Sequence, residues 1–514
     1  MTGAIEAKLC SADEAVALIE DGQTVVSGGF VGAGHPEALT AAIERRFLKT
    51  GKPRDLTLVY GAGQGDGKTR GANHFAHDGL LKRVIGGHWG LAPKLGRLAL
   101  DGAIEGYNFP QGVICQLLRD IAAGRPGCIT HIGLDTFVDP ALSGGRLNER
   151  TPAGAVERIE LGGRTWLWYK SFPVHVGLIR GTSADPLGNL VMNKEAIFGE
   201  VLPIAQAVHN HGGVVIAQVR ELIDDKADPQ CVKVPGVLID RIVLAEAHEH
   251  DQTFAEKYNA GYCSPRPSDA SPDAGLDPLP MDERRIISAR ACDEIPDNAI
   301  VNLGIGMPEG IARIAAERGL LERFTLTVES GPIGGIPAGG LSFGASLYPE
   351  AVVDQPAQFD FYDGGGLDFA ALGAAQIDAD GNVNVSKFSA KMPGVGGFVN
   401  ITQTAKRLVL CGTFTAGGLQ VAVENRRLRI VREGSTRKFV KQVEQISFSA
   451  HRARQLGQVV LYVTERAVFR LVDGGIELIE VAPGIDVHTQ VLGQMDFKPI
   501  VRDVRPMPDH LFEP

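Results

Sequence analysis

Two rhythms of hydrophobic and polar positions alternate along the chain: short apolar runs, and longer stretches with an apolar residue every third or fourth position. The run Thr24 to Val26 enters a glycine-rich turn (Gly28, Gly29, Gly32, Gly34), and Pro36-Glu37 then opens a helical pattern through Leu39, Ile43 and Phe47. The same order returns further on. Ala299 to Val301 enters Gly304 and Gly306, and Pro308-Glu309 opens a helical pattern through Ile311, Ile314 and Leu320. Proline at a first helical position is already set to the φ a helix needs, and a glutamate beside it meets the positive end of the helix dipole. Each pattern leads into a β-rich run, Leu56 to Tyr60 and Phe324 to Val328, that ends in a glycine-bearing loop. Gly188-Asn189-Leu190 after Asp185, and Gly381-Asn382-Val383 after Asp380, read as turns into strands. Further strands are expected at Val214 to Val219, Arg407 to Cys411 and Val459 to Val463.

Strands alternating with helices through glycine turns predict two related open α/β domains with mostly parallel sheets, whose ligand sites lie at the carboxyl ends of the strands. The stretch from Ser264 to Asp282 carries five prolines among Ser, Asp and Ala without apolar periodicity, and is read as a linker. It divides the chain into domains 1–263 and 283–514, with the site expected in the cleft between them.

Composition narrows the function classes. Glycine supplies 64 of 514 residues, well above the usual share of about 7%, which suits many tight turns and loops that approach a ligand closely. A net charge of −10 and a pI near 5.8 leave no basic face for nucleic acid or an anionic membrane. No apolar run approaches the length of about 20 residues that spans a bilayer, and the acidic beginning (Glu6, Asp13, Glu14, Glu20, Asp21) does not suit a transit peptide, so a cytoplasmic protein is expected. Seven cysteines stand singly with no Cys-x-x-Cys spacing, which implies reduced thiols rather than a disulfide or zinc framework.

Laying the duplicated runs on each other puts Gly61 opposite Glu329, so only one copy carries an acid at the end of its strand. A carboxylate held dry and oriented there can act as a covalent nucleophile; the bland alternative is a capping or salt-bridged glutamate. The surrounding run Glu329-Ser330-Gly331-Pro332-Ile333-Gly334-Gly335 resembles the active-site motif of family I CoA transferases. Phe359-Asp360-Phe361-Tyr362-Asp363-Gly364-Gly365-Gly366-Leu367-Asp368 and Gly381-Asn382-Val383-Asn384-Val385-Ser386 continue the likeness. His88-Trp89-Gly90-Leu91-Ala92-Pro93, Tyr107-Asn108-Phe109-Pro110-Gln111-Gly112, Ala482-Pro483-Gly484-Ile485-Asp486-Val487 and Met495-Asp496-Phe497-Lys498-Pro499 are similar to the single-chain propionate and acetate branch of that family.

The resemblance implies that Glu329 attacks an acyl-CoA and then carries the CoA as a thioester, in ping-pong fashion, without a tightly bound cofactor or a metal. CoA is then a substrate and covalent intermediate, and the partners are short-chain acyl-CoA and carboxylates such as acetate or propionate. Lys391-Met392-Pro393-Gly394-Val395-Gly396-Gly397-Phe398 is similar to the family's glycine loop, which assigns Gly396 and Gly397 to the oxyanion or the CoA thioester. Gln111 resembles the family's glutamine near the acyl carboxylate, and Lys387 and Lys391 are candidates for the CoA phosphates. A homo-oligomer is the default expectation.

Rival readings are weaker in the residues. Gly29, Gly32 and Gly34 lack Gly-x-Gly-x-x-Gly spacing, and the following strand ends in Tyr60-Gly61 without the acid a dinucleotide ribose needs. His248, Glu249, His250 and Asp251 lack zinc spacing and read as solvated surface, and no Gly-x-Ser-x-Gly elbow supports a serine hydrolase. A binding protein with an inert Glu329 would be a scaffold. Acyl-CoA hydrolysis by the same glutamate differs from transfer only in letting water act as acceptor.

Overall fold

The runs Thr24-Val25-Val26-Ser27 and Phe369 to Leu372 are buried on both faces, as strands in the middle of a helix-covered parallel sheet must be. The computed structural model describes residues 3–268, 276–388 and 391–513; part of the expected linker, 269–275, lies outside the described residues. In the first half, parallel strands β1 (Thr24–Ser27), β2 (Leu56–Tyr60), β3 (Leu81–Gly86), β4 (Glu105–Asn108), β5 (Val176–Ala184), β6 (Val214–Leu222) and β7 (Arg241–Leu244) lie in the order β7-β6-β5-β1-β2-β3-β4. In the second, β8 (Ile300–Leu303), β9 (Thr325–Thr327), β10 (Phe369–Gly373), β11 (Arg407–Cys411) and β12 (Val459–Val463) are parallel in the order β12-β11-β10-β8-β9. Both sheets thus share one five-strand plan. The first adds β3 and β4 beyond it, and the second adds antiparallel strands at both edges.

Helices α1 (Glu37–Thr50), α2 (Gln111–Ala122) and α3 (Val201–Asn210) belong to the first half, and α4 (Glu309–Glu317), α5 (Gln355–Asp363) and α6 (Phe398–Thr404) to the second. One hydrophobic cluster runs from Val113, Leu117 and Leu118 of α2 through Phe359 and Tyr362 of α5 to Val399 and Ile401 of α6, so the two halves share a core. Each fully buried aromatic of that seam contributes about 1.5–3 kcal/mol through removal of apolar surface from water.

Several expectations shift by a residue or more. Pro36 and Pro308 stand at the N-cap rather than inside the helix, α4 ends at Glu317 so that Leu320 lies beyond it, and Phe324 precedes β9. The counterpart of Asp185 is Asp378, not Asp380. The Leu187 and Asn189 amides donate to Asp185 Oδ1 at 2.9 Å each, and those of Asp380 and Asn382 donate to Asp378 Oδ1 at 3.1 and 2.9 Å. All seven cysteines are free, and four of them are buried.

Candidate active site

Glu329 stands two residues past the end of β9, in a tight turn closed by the Val328 amide donating to the Pro332 carbonyl and the Gly331 amide to that of Val328 (2.9 and 3.0 Å). Gly331 is required there, since its φ is +129° and a Cβ would stand 2.1 Å from the Val353 carbonyl oxygen. The turn holds the Glu329 side chain, 7% exposed, in the wall of a cavity of about 350 Å³ between the halves. Burial raises its pKa above the usual carboxylate value, opposed by its own amide and by the side chain of Asn302. Asn302 Nδ2 lies 3.3 Å from Glu329 Oε2 and within 3.4 Å of the Thr327 carbonyl and the Tyr362 hydroxyl. Thr327 Oγ1 is 2.7 Å from the same hydroxyl.

The lining continues in the glycine loop 393–397, which is tied to the strand ends of the first half. The Trp89 and Gly90 amides donate to the Pro393 carbonyl (2.7 and 3.0 Å), Gly396 to Gly87 (2.8 Å) and Gln111 to Gly396 (2.9 Å). Asn108 Oδ1 accepts from the Val395 amide at 3.1 Å, while its Nδ2 donates to the Gly86 and Gly87 carbonyls. The Gly396 amide is therefore already bonded to the Gly87 carbonyl in this structure. Gly397 caps α6 against the nucleophile candidate: a Cβ there would stand 3.4 Å from Glu329 Cγ. Gln111, 2% exposed, lines the cavity with its Nε2 unpaired among the described residues. Such a buried donor without a partner is costly unless a ligand oxygen meets it.

An apolar cavity holding one carboxyl, one free amide side chain and a glycine loop suits a thioester, which is uncharged at its carbonyl, and a carboxylate, which carries a single charge on its oxygens. The model of the family described as Coenzyme A transferase matches residues 10–245. Caffeate CoA-transferase of Acetobacterium woodii is 42% identical over 514 residues, covering 98% of this chain and 97% of that protein. The chain belongs to the coenzyme A transferase family. Acetate CoA-transferase YdiF of Escherichia coli K12 is 40% identical over 511 residues, covering 98% and 94% of the two chains. The crystal structure of the acyl-CoA transferase YdiF from E. coli O157:H7, a thioester complex with CoA, superposes with a TM-score of 0.92 at 38% identity over 99% of this chain and 96% of that one. The chain is thus a CoA transferase with the parallel-rich α/β fold expected of it.

Glu329, Gln111, Gly396 and Gly397 all line this transferase's cavity; Lys387 and Lys391 flank the glycine loop without lining it. His248 to Asp251 are not the solvated stretch expected. His250 is buried between Gln218 and Glu195, Asp251 pairs with Arg70 at 3.1 Å, and only His248 stays outside, against Glu246. No helix among the described residues is long and apolar enough to cross a membrane.

Asn302 and Thr327 were missed. The overlay that singles out Glu329 sets Thr327 opposite the apolar Val59, whereas Asn302 becomes the counterpart of Val26 only in the strand register, where Val26 pairs with Val59 and Asn302 with Thr327. His88 was also unassigned. It lines the cavity, its ring has no hydrogen-bond partner among the described residues, and burial lowers its pKa to about 4, so it is a neutral imidazole. The same overlay has a second side. Beside Gly61 a Cβ would meet Cys115, Gln355 and, at 3.7 Å, Oε1 of Glu200, the N-cap of α3. Glu200 is fully buried with both carboxyl oxygens unpaired among the described residues, and burial pushes its pKa up to about 8. One copy pairs an acid at the strand end with glycine at the helix cap; the other reverses them.

Proposed function

We propose that this transferase moves CoA from a short-chain acyl-CoA to a carboxylic acid such as acetate or propionate through a glutamyl-CoA thioester on Glu329. The buried Glu329 carboxyl in the cavity between residues 1–263 and 283–514, the two units of this reading, is the observation that carries it. A Glu329 oxygen attacks the thioester carbonyl carbon, the C–S bond breaks, and CoA leaves as thiolate from a mixed anhydride. The thiolate then attacks the Glu329 carbonyl carbon, the anhydride C–O bond breaks, and the acyl group departs as a carboxylate. An acceptor carboxylate reverses both steps, so no proton or electron enters the overall balance.

Each addition puts charge on an oxygen. The Gly397 amide and Gln111 Nε2 are the donors this reading assigns, an amide in such a role being worth about 3–4 kcal/mol. His88, held neutral, adds no charge that would trap the carboxylate. Apolar walls that exclude water favour transfer over hydrolysis. The test incubates the enzyme with acyl-CoA alone and locates the CoA adduct by mass spectrometry. The adduct is expected on the peptide containing Glu329, and Glu329→Gln should lose both adduct and turnover while folding normally. An active Gln variant, or an adduct elsewhere, would falsify the proposal.

A further inference from the structure

The cavity has two unlike parts. Ile305 is 50% exposed and Gly306 beside it is open, so this rim is where a long substrate arm reaches solvent. Elsewhere in the lining Phe30 and Val31, each 4% exposed, and Phe343 at 6% are closed to solvent, with the Phe30 and Phe343 rings 5.6 Å apart. CoA has to enter by the rim because its nucleotide cannot be buried there, which leaves the closed part to the acyl group. Val31 has φ +54°, a left-handed conformation that a β-branched residue avoids. The surroundings impose it. The Phe30 and Ala33 amides and carbonyls pair reciprocally at 2.9 Å, the Val31 amide donates to Gly63 (2.7 Å), and its carbonyl accepts from Gly65 (3.0 Å). A Cβ at Gly32 would stand 2.3 Å from the Phe254 ring, which itself lies 4.2 Å beneath the Arg70 guanidinium. A strained turn fixed from every side, with its side chain in a site, marks a functional constraint.

We propose that the hairpin Phe30–Ala33, with Phe343 against it, is the acyl-selecting wall, admitting uncharged apolar acyl groups larger than acetyl and refusing a second carboxylate. The inference rests on the reading of Glu329 as the CoA-carrying group. About 350 Å³ exceeds what an acetyl group needs, since a cavity of about 150 Å³ already takes up benzene. No lysine or arginine lines the cavity among the described residues, so the distal carboxylate of a dicarboxylic acyl group would be buried without a cation to offset its charge.

The experiment measures kcat/KM for acetyl-, propionyl-, butyryl-, hexanoyl- and succinyl-CoA with isotope-labelled acetate as acceptor, reading label incorporated into acetyl-CoA so that the acetyl-CoA exchange is visible too. From acetyl to butyryl the constant should rise about fourfold per methylene, and succinyl-CoA should fall below butyryl-CoA by at least about a hundredfold. Val31→Ala should raise the hexanoyl-to-propionyl ratio by about tenfold with little change in Tm; Phe343→Leu should move the ratio the same way. Transfer with unmoved ratios in both variants, or succinyl-CoA serving as well as butyryl-CoA, overturns this inference alone. No CoA transfer from any donor overturns the Glu329 reading and this inference with it.

Discussion

Replacing Glu200 by glutamine should stabilise the protein, and increasingly so as pH rises. The carboxyl group is fully buried beside Gly61, near Cys115 and Gln355, with no other residue among those described bonding its oxygens and only its own amide to offset the charge. Folding raises its pKa from 4.5 to about 8 through desolvation. Below pH 4.5 both folded and unfolded chains carry the proton, and the group is neutral to stability. Between 4.5 and about 8 only the folded chain keeps it, so each rising pH unit favours unfolding by about 1.4 kcal/mol. The ceiling, reached above pH 8, is about 5 kcal/mol. The loss is about 2 kcal/mol at pH 6 and about 4 kcal/mol at pH 8 by the same relation. Glutamine has the same shape and no proton to lose, and Gln355 Oε1, also unpaired, is a nearby acceptor for its amide. Thermal denaturation of both proteins from pH 5 to 9 is the assay: the Tm advantage of Glu200→Gln should widen by several degrees between pH 6 and 8. Parallel curves, or a variant less stable at every pH, would refute the reasoning, because they would mean that the carboxylate is charged and paired in the folded protein.

Asn302→Leu removes the side chain that stabilises the ionised form of Glu329. The Glu329 pKa then rises further, so the acid limb of the rate profile should move to higher pH and kcat should fall by about tenfold or more, as measured by pH–rate profiles. Asn108→Ala deletes the side chain that joins the glycine loop to the ends of β3 and β4. It should cost about 1–3 kcal/mol in denaturant titration and raise KM, because a buried amide and two carbonyls lose their partner.

The strands β2, β11 and β12 coincide with their expected runs because each is a short apolar segment bounded by turn residues, a signal carried within a few positions. Glu329 stood out for a related reason, since one copy of the plan carries an acid at the strand end where the other has Gly61; the role proposed for it came from the resemblance of the residues around it. Thr327 was present in that comparison and went unread because a polar residue inside a strand looks like a fault until a partner is seen; Asn302 fell opposite the polar Ser27 and gave no contrast. What no local pattern holds is the commitment of hydrogen bonds across the halves. Whether the Gly396 amide is free depends on Gly87, and whether Gln111 Nε2 is free depends on everything around the cavity. The burial of His250 likewise follows from Gln218 and Glu195, which reach it only after the sheet is assembled.

The exchange of acid and glycine between Glu329 with Gly397 and Gly61 with Glu200 means that duplication here did not yield two equivalent reaction centres. One half sets a carboxyl in the cavity wall, and the other holds its own in a dry interior. On the reading proposed above, a repeated architecture thereby divides labour between chemistry and choice.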